Sequence, residues 1–347
     1  MYHKIIALRE DSQCNDIVLL KDKIEIASAE LEKVIDGIEN SIIGQQDMIK
    51  KTIIAMLAGE HVLIEGLPGL AKTTFLKTLA KTINGDFNRV QFTPDLLPAD
   101  IIGTRKLDPH TNSLIFEKGP VFTNILLADE INRSPAKVQA ALLEAMGEKQ
   151  VTVGKETYSL PNPFWVFATQ NPLDQEGTYP LPEAQLDRFM FKITVPQPTL
   201  EEETAIMELV ENRHESPEIE SKVTLENIKN WQRFVSKIFM DKGLKEYAAQ
   251  LVCATRKPST YKGMEKYKDV ISVGASTRAS LNLMKAAKAH AFIKKRSYVT
   301  ADDIKAVAPD VLRHRIILNY NAAANNIKVD DIINAILNNI PIPENGN

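Results

Sequence analysis

Apolar positions along the chain follow two rhythms. Between residues 62 and 195, short runs with no internal polar residue recur, Val62-Leu63-Ile64, Ile125-Leu126-Leu127-Ala128 and Phe164-Trp165-Val166-Phe167-Ala168, and a further strand is expected at 190–195, where Lys192 and Thr194 interrupt the apolar positions. Runs of that length suit strands buried on both faces of a parallel sheet. Helical spacing fills the intervals, over 75–83 and in the stripe Val138, Ala141, Leu142, Ala145 and Met146 that Gly147 closes. A further short strand is expected at 89–92 and a short helix ending at 100–103. Two polar interruptions read as hairpins, 104–116 around Asp108-Pro109-His110-Thr111-Asn112 and 150–158 around Gly154-Lys155.

Outside this region the period is helical. An amphipathic helix is expected over 21–38 and another over 46–57, ended by Gly59. Beyond Pro196 and Pro198, helices are expected at 200–212, 224–239, 244–255, 277–294 and 300–307, with a polar loop at 256–273 and a short strand at 270–273. Ser276-Thr277-Arg278 and Thr300-Ala301-Asp302-Asp303 read as helix starts. Residues 1–20 fit short strands, helical turns or an arm equally. The pattern is α/β, with a domain over 21–198 followed by a smaller helical one over 199–347.

Chemistry enters at the first buried run. Gly66-Leu67-Pro68-Gly69-Leu70-Ala71-Lys72-Thr73-Thr74 lies between that strand and a helix, the context of a phosphate-binding loop. Unpaired N–H groups at a helix start favour a triphosphate, Lys72 can reach its outer phosphates, and Thr73 can ligate Mg²⁺. Ala71 stands where the standard loop has glycine, so a left-handed turn there would be strained. An ordinary Gly/Pro turn would explain the glycines alone. The run ending in Asp129-Glu130 weakens that reading, because parallel strands deliver functional groups at their carboxyl ends. Asp129 is positioned to hold Mg²⁺ and Glu130 to polarise an attacking water. Asn171 ends the next buried strand, where an amide could orient that water, though Asn-Pro is also a common turn. Arg188 could pair locally with Asp187 or Glu183.

Composition narrows the class. The chain has 347 residues, 44% hydrophobic and 25% charged, ordinary for a globular protein. A net charge of −3 argues against bulk affinity for nucleic acid. Cys14 and Cys253 have no metal or disulfide spacing, no run is long enough to span a membrane and no signal-peptide pattern opens the chain, so a cytoplasmic location is expected.

The order of these motifs resembles that of AAA+ ATPases, and of the MoxR family in particular. The resemblance rests on Gly44-Gln45, the 66–73 loop, Asp129-Glu130-Ile131-Asn132-Arg133, Ala168-Thr169-Gln170-Asn171-Pro172, 183–189, 274–279 and 312–316. It covers most of residues 30–320, and it includes the alanine variant of the loop. It implies a P-loop AAA+ three-layer αβα core with a parallel sheet, followed by an all-helical lid. The hairpins would be the helix-2 and pre-sensor inserts. Asn171 would be sensor 1, Arg188 the arginine finger and Arg278 sensor 2, with Ile43, Gly44 and Gln45 near the adenine. The resemblance further implies ATP and Mg²⁺, a homo-oligomer in a hexameric ring, a von Willebrand A-domain partner, and protein clients matured or loaded with metal. A nucleic-acid motor and a non-hydrolysing scaffold are the competing classes. The acidic balance opposes the first, and an intact set of Glu130, Asn171 and Arg188 opposes the second.

Overall fold

The computed structural model describes residues 2–39, 41–67, 69–110, 112–172, 178–211 and 223–343. Helix α1 (Tyr2–Glu39) leads into α2 (Gln46–Ala58), so residues 2–20 continue the expected helix rather than standing apart from it. The break between them turns on two consecutive left-handed residues, Gly44 and Gln45. Strand β1 (Val62–Glu65), helix α3 (Lys72–Thr82), strand β2 (Phe87–Gln91) and the short helix α4 (Pro98–Ile102) follow. The hairpin β3 (Gly103–Asp108) and β4 (Ser113–Lys118) precedes β5 (Ile125–Asp129) and α5 (Ala136–Glu148). A second hairpin, β6 (Gln150–Val153) and β7 (Glu156–Ser159), precedes β8 (Trp165–Gln170), α6 (Glu183–Leu186) and β9 (Phe191–Thr194).

Five of these strands form a parallel sheet in the order β2-β5-β8-β1-β9. The chain leaves β1 for the far edge, returns through β5 and β8, and crosses to β9 on the other side. Such a reversal opens a crevice at the carboxyl ends of the strands. Alternation along each strand divides the core in two. Val62 and Ile64 pack with Phe75, Leu76 and Leu79 of α3, while Leu63 packs with Val138, Leu142 and Met146 of α5. Helices therefore cover both faces, the three-layer arrangement expected from runs apolar at every position.

Glycine fixes the neck of the first hairpin. Gly103 has φ 101°, and a Cβ there would stand 2.4 Å from the Glu117 carbonyl oxygen. A Cβ on Gly119 would stand 2.3 Å from the Ile101 carbonyl oxygen. The two hairpins lean together, with Phe116 stacked on Tyr158 at 4.2 Å between ring centroids and Arg105 paired with Glu156 at 3.2 Å.

The rest is mostly helical: α7 (Leu200–Glu211), α8 (Leu225–Lys237), α9 (Lys242–Arg256), α10 (Thr277–Ile293), α11 (Ala301–Leu312), α12 (Tyr320–Ala324) and α13 (Val329–Asn339). Alanines at 279, 286, 287, 289 and 291 of α10 are fully buried, which lets α8, α9, α11 and α2 pack closely around it. The lid is not purely helical, because β10 (Ile271–Val273) pairs antiparallel with β11 (Ile317–Leu318). The Asn319 amide groups extend that ribbon, its backbone N–H donating to Val270 O and its side chain to Asp269 O.

Candidate active site

The loop after β1 is shaped by backbone crowding. Gly66 donates its N–H to Gln170 O at 3.2 Å, and a Cβ there would lie 3.0 Å from Val195 Cβ. Gly69 has φ 86°. Ala71, immediately before α3, has φ 53° and ψ 15°, so the strain expected from its replacement of glycine is present, at about 1–2 kcal/mol. No side chain caps α3, which leaves its first amides directed at the crevice. Lys72 opens that helix and donates from Nζ to Gly66 O at 2.8 Å. Burial lowers its pKa, opposed by the charges of Asp129 and Glu130. Pro68 lies outside the described residues.

Facing the loop, β5 delivers Asp129, and Glu130 follows in a left-handed conformation, φ 56°. Thr169 of β8 joins them. Its hydroxyl donates to Asp129 Oδ1 at 2.5 Å and accepts the Glu130 N–H at 2.8 Å. Strand β2 holds the carboxylates from the other side. Arg89 donates from Nε and Nη2 to Asp129 Oδ2 at 3.0 and 2.6 Å, and Gln91 donates from Nε2 to Glu130 Oε2 at 2.8 Å. Arg133 reaches the same Glu130 oxygen at 3.1 Å.

These groups enclose a cleft of about 350 Å³. Gly66, Gly69, Leu70, Ala71, Lys72, Thr73 and Thr74 line one wall; Asp129, Glu130 and Asn171 line the other, with Arg89, Gln91 and Thr169 beside them. The Thr73 hydroxyl and the Asp129 carboxylate are hard oxygen donors in one cleft, the donor type Mg²⁺ takes alongside phosphate oxygens. The arrangement can hold a polyphosphate between amides and ammonium, and present a carboxylate to a water at its end.

Two predicted arginines stand elsewhere. Arg188 and Arg278 line a second cleft of about 430 Å³ with Lys149 and Lys285. Arg188 donates to Leu143 O, and Gly147 makes the room: a Cβ there would be 2.7 Å from Arg188 Nη1. Asp187 turns to the lid rather than to Arg188. It accepts from Ser276 Oγ at 2.8 Å, Arg278 Nη1 at 3.3 Å and Arg315 Nε at 2.7 Å. Arg315 is 5% exposed and also donates to the carbonyls of Asp187, Phe189, Met190 and Val311. Ile43, Gly44 and Gln45 do not line the phosphate cleft; Gly44 abuts Glu202, whose Oε1 would be 3.0 Å from a Cβ.

Sequence reasoning passed over Arg89, Gln91, Thr169 and Arg315. The alternation Arg89-Val90-Gln91 on a strand expected beside β5 was a usable signal, since i and i+2 share a face. Arg315 lies in the 312–316 segment of the resemblance, but nothing local points to its partner Asp187, 128 residues away.

Comparison with known proteins bears on this geometry. The ATPase family associated with various cellular activities (AAA) matches residues 61–191, and the AAA lid domain matches 267–336. The chain is 44% identical over 314 residues to Chaperone MoxR1 of Mycobacterium tuberculosis, covering 90% of this chain and 82% of that one. It is 41% identical over 313 residues to the protein YeaC of Bacillus subtilis, covering 90% and 95% respectively. A crystal structure of a candidate ATPase from Cytophaga hutchinsonii matches with a TM-score of 0.87 at 48% identity, covering 93% of this chain and 98% of that one.

Proposed function

This chain belongs to the MoxR family of AAA+ ATPases, and from that premise we propose that it hydrolyses ATP in a site shared between subunits and uses the turnover to remodel protein clients. The α3 amides and Lys72 take the phosphates. Thr73 and Asp129 hold Mg²⁺, which supplies charge neutralisation at the phosphate oxygens. Glu130 accepts the proton of the attacking water, and Asn171 orients that water. Arg188 and Arg278 act on the nucleotide of a neighbouring subunit, stabilising charge at its outer phosphate. Such a donor-to-acceptor contact is heterologous and closes into a ring, which we assign as a hexamer. Ile43, Gly44 and Gln45 take the adenine side.

One observation carries this reading. The loop, the two carboxylates and Asn171 share one cleft, while both arginines line another. A site divided in that way is complete only across an interface. The relative named as a chaperone supports the remodelling role; maturation or metal-cofactor insertion of clients, a von Willebrand A-domain partner and a cytoplasmic location complete the proposal. Among the described residues no helix is long and apolar enough to cross a membrane.

Glu130→Gln tests the chemistry. It keeps the side chain's size and its place beside Gln91 but removes the base. ATP should bind with unchanged affinity while turnover falls by about 10² or more, the scale of positioned acid–base catalysis. Near-normal turnover would move the base to another residue.

A further inference from the structure

Both oxygens of Asp129 are engaged by the protein itself. Oδ1 accepts the Thr169 hydroxyl, and Oδ2 accepts two N–H groups of Arg89. The guanidinium is held in plane by Gln91, whose Oε1 accepts from Arg89 Nη2 at 3.0 Å. Register explains the reach: β2 and β5 pair with Gln91 beside Asp129 and Arg89 beside Leu127, so the longer side chain runs along the strand to the carboxylate. The Arg89 side chain is 46% exposed against 16% for Asp129, so the arginine has a way out and the carboxylate does not.

We propose that Arg89 is the resident counter-ion of Asp129, and that it makes divalent-cation binding conditional on nucleotide. This rests on the reading of the cleft as an ATP–Mg²⁺ site. A dication approaching Asp129 alone meets a fixed positive charge already forked onto its ligand oxygen. Of the cleft's other oxygens, Glu130 Oε2 is held by Gln91 and Arg133 and the Thr169 hydroxyl by Asp129 itself, so Thr73 adds too little to replace what the guanidinium supplies. Phosphate changes the balance in two ways. It adds anionic oxygens for the metal, and it gives the guanidinium an alternative acceptor of matching geometry in the same cleft. Arg89 can then exchange carboxylate for phosphate without losing its hydrogen bonds, and each ligand's binding favours the other's, as linkage requires.

The test uses Mn²⁺ as the probe, with the free ion measured by electron paramagnetic resonance on the full-length protein without nucleotide. Removing a half-exposed ion pair should tighten Mn²⁺ binding in Arg89→Gln by about fivefold, and adding Asp129→Asn should abolish the gain. With a non-hydrolysable ATP analogue present, the difference between variant and wild type should shrink. Unchanged Mn²⁺ affinity in Arg89→Gln overturns the proposal, as does a gain that survives Asp129→Asn. Should the glutamine variant fail to fold, Arg89→Lys keeps the charge but loses the fork, and must show a smaller gain of the same sign. Calorimetry of ATP on the wild type separates the two readings: absence of ATP binding there removes the nucleotide site, while the metal-only titration still decides the role of Arg89.

Discussion

Replacing Arg315 by methionine should cut the tie between the sheet and the lid. The guanidinium is almost fully buried and serves Asp187 Oδ1 together with four backbone carbonyls, at 187, 189, 190 and 311. Burial lowers its pKa and Asp187 pulls it back, which marks a charge held in the interior by its partners. Methionine fills the space of the aliphatic stem, so the cavity contribution is small and the loss is that of the polar network. Breaking a buried pair from one side costs about 3–5 kcal/mol. Asp187 keeps Ser276 and Arg278, which puts this case near the lower end, at about 3 kcal/mol. Guanidinium unfolding can be followed by the two tryptophans, Trp165 in β8 and Trp231 in α8, both buried. Arg315→Lys should lose a smaller share, because an ammonium cannot fork between a carboxylate and several carbonyls. A loss below about 1 kcal/mol, the worth of one ordinary hydrogen bond, would refute the claim that this network joins the two parts.

Lys72→Ala should abolish ATP binding at micromolar nucleotide, and wild-type affinity by calorimetry would remove Lys72 from the phosphates. His61 should make the fold acid-sensitive: it is buried and neutral, Nδ1 accepting the Val166 N–H at 3.0 Å and Nε2 donating to Met146 O, and burial lowers its pKa to about 4. The unfolded chain takes its proton first, so stability falls from about pH 6.5 to about pH 4, by up to about 3 kcal/mol; His61→Gln should flatten part of that slope in melts against pH, the buried His314 supplying the remainder. Gly119→Ala should open the hairpin neck by forcing Cβ onto the Ile101 carbonyl, and unaltered protease resistance of the hairpin would contradict it.

The sheet and the phosphate loop were legible because their signals are local. An apolar run, a Gly-rich turn and a helix start sit within a dozen residues, and strand ends carrying Asp129-Glu130 and Asn171 announce the opposite wall. The capping of α10 by Ser276 and of α11 by Thr300 was read for the same reason. What escaped was long-range. Nothing near Arg278 says that it meets Asp187 and lines the cleft of Arg188, because that depends on how the lid docks. The ribbon of β10 and β11 joins segments too short to show a period. Helix α13 was within reach: Ile332, Ile333, Ile336 and Ile340 have helical spacing and are buried.

In the proposed mechanism one ATP site draws on two subunits, and mixing two inactive variants probes that sharing. Arg188→Ala keeps a complete phosphate cleft but lacks its arginine; Lys72→Ala lacks the phosphate-binding lysine but keeps Arg188 and Arg278. Co-assembled under exchange conditions, the second should lend its arginines to the first, and part of the ATPase activity should return. No recovery, with co-assembly shown by labelled subunits, would contradict the shared site.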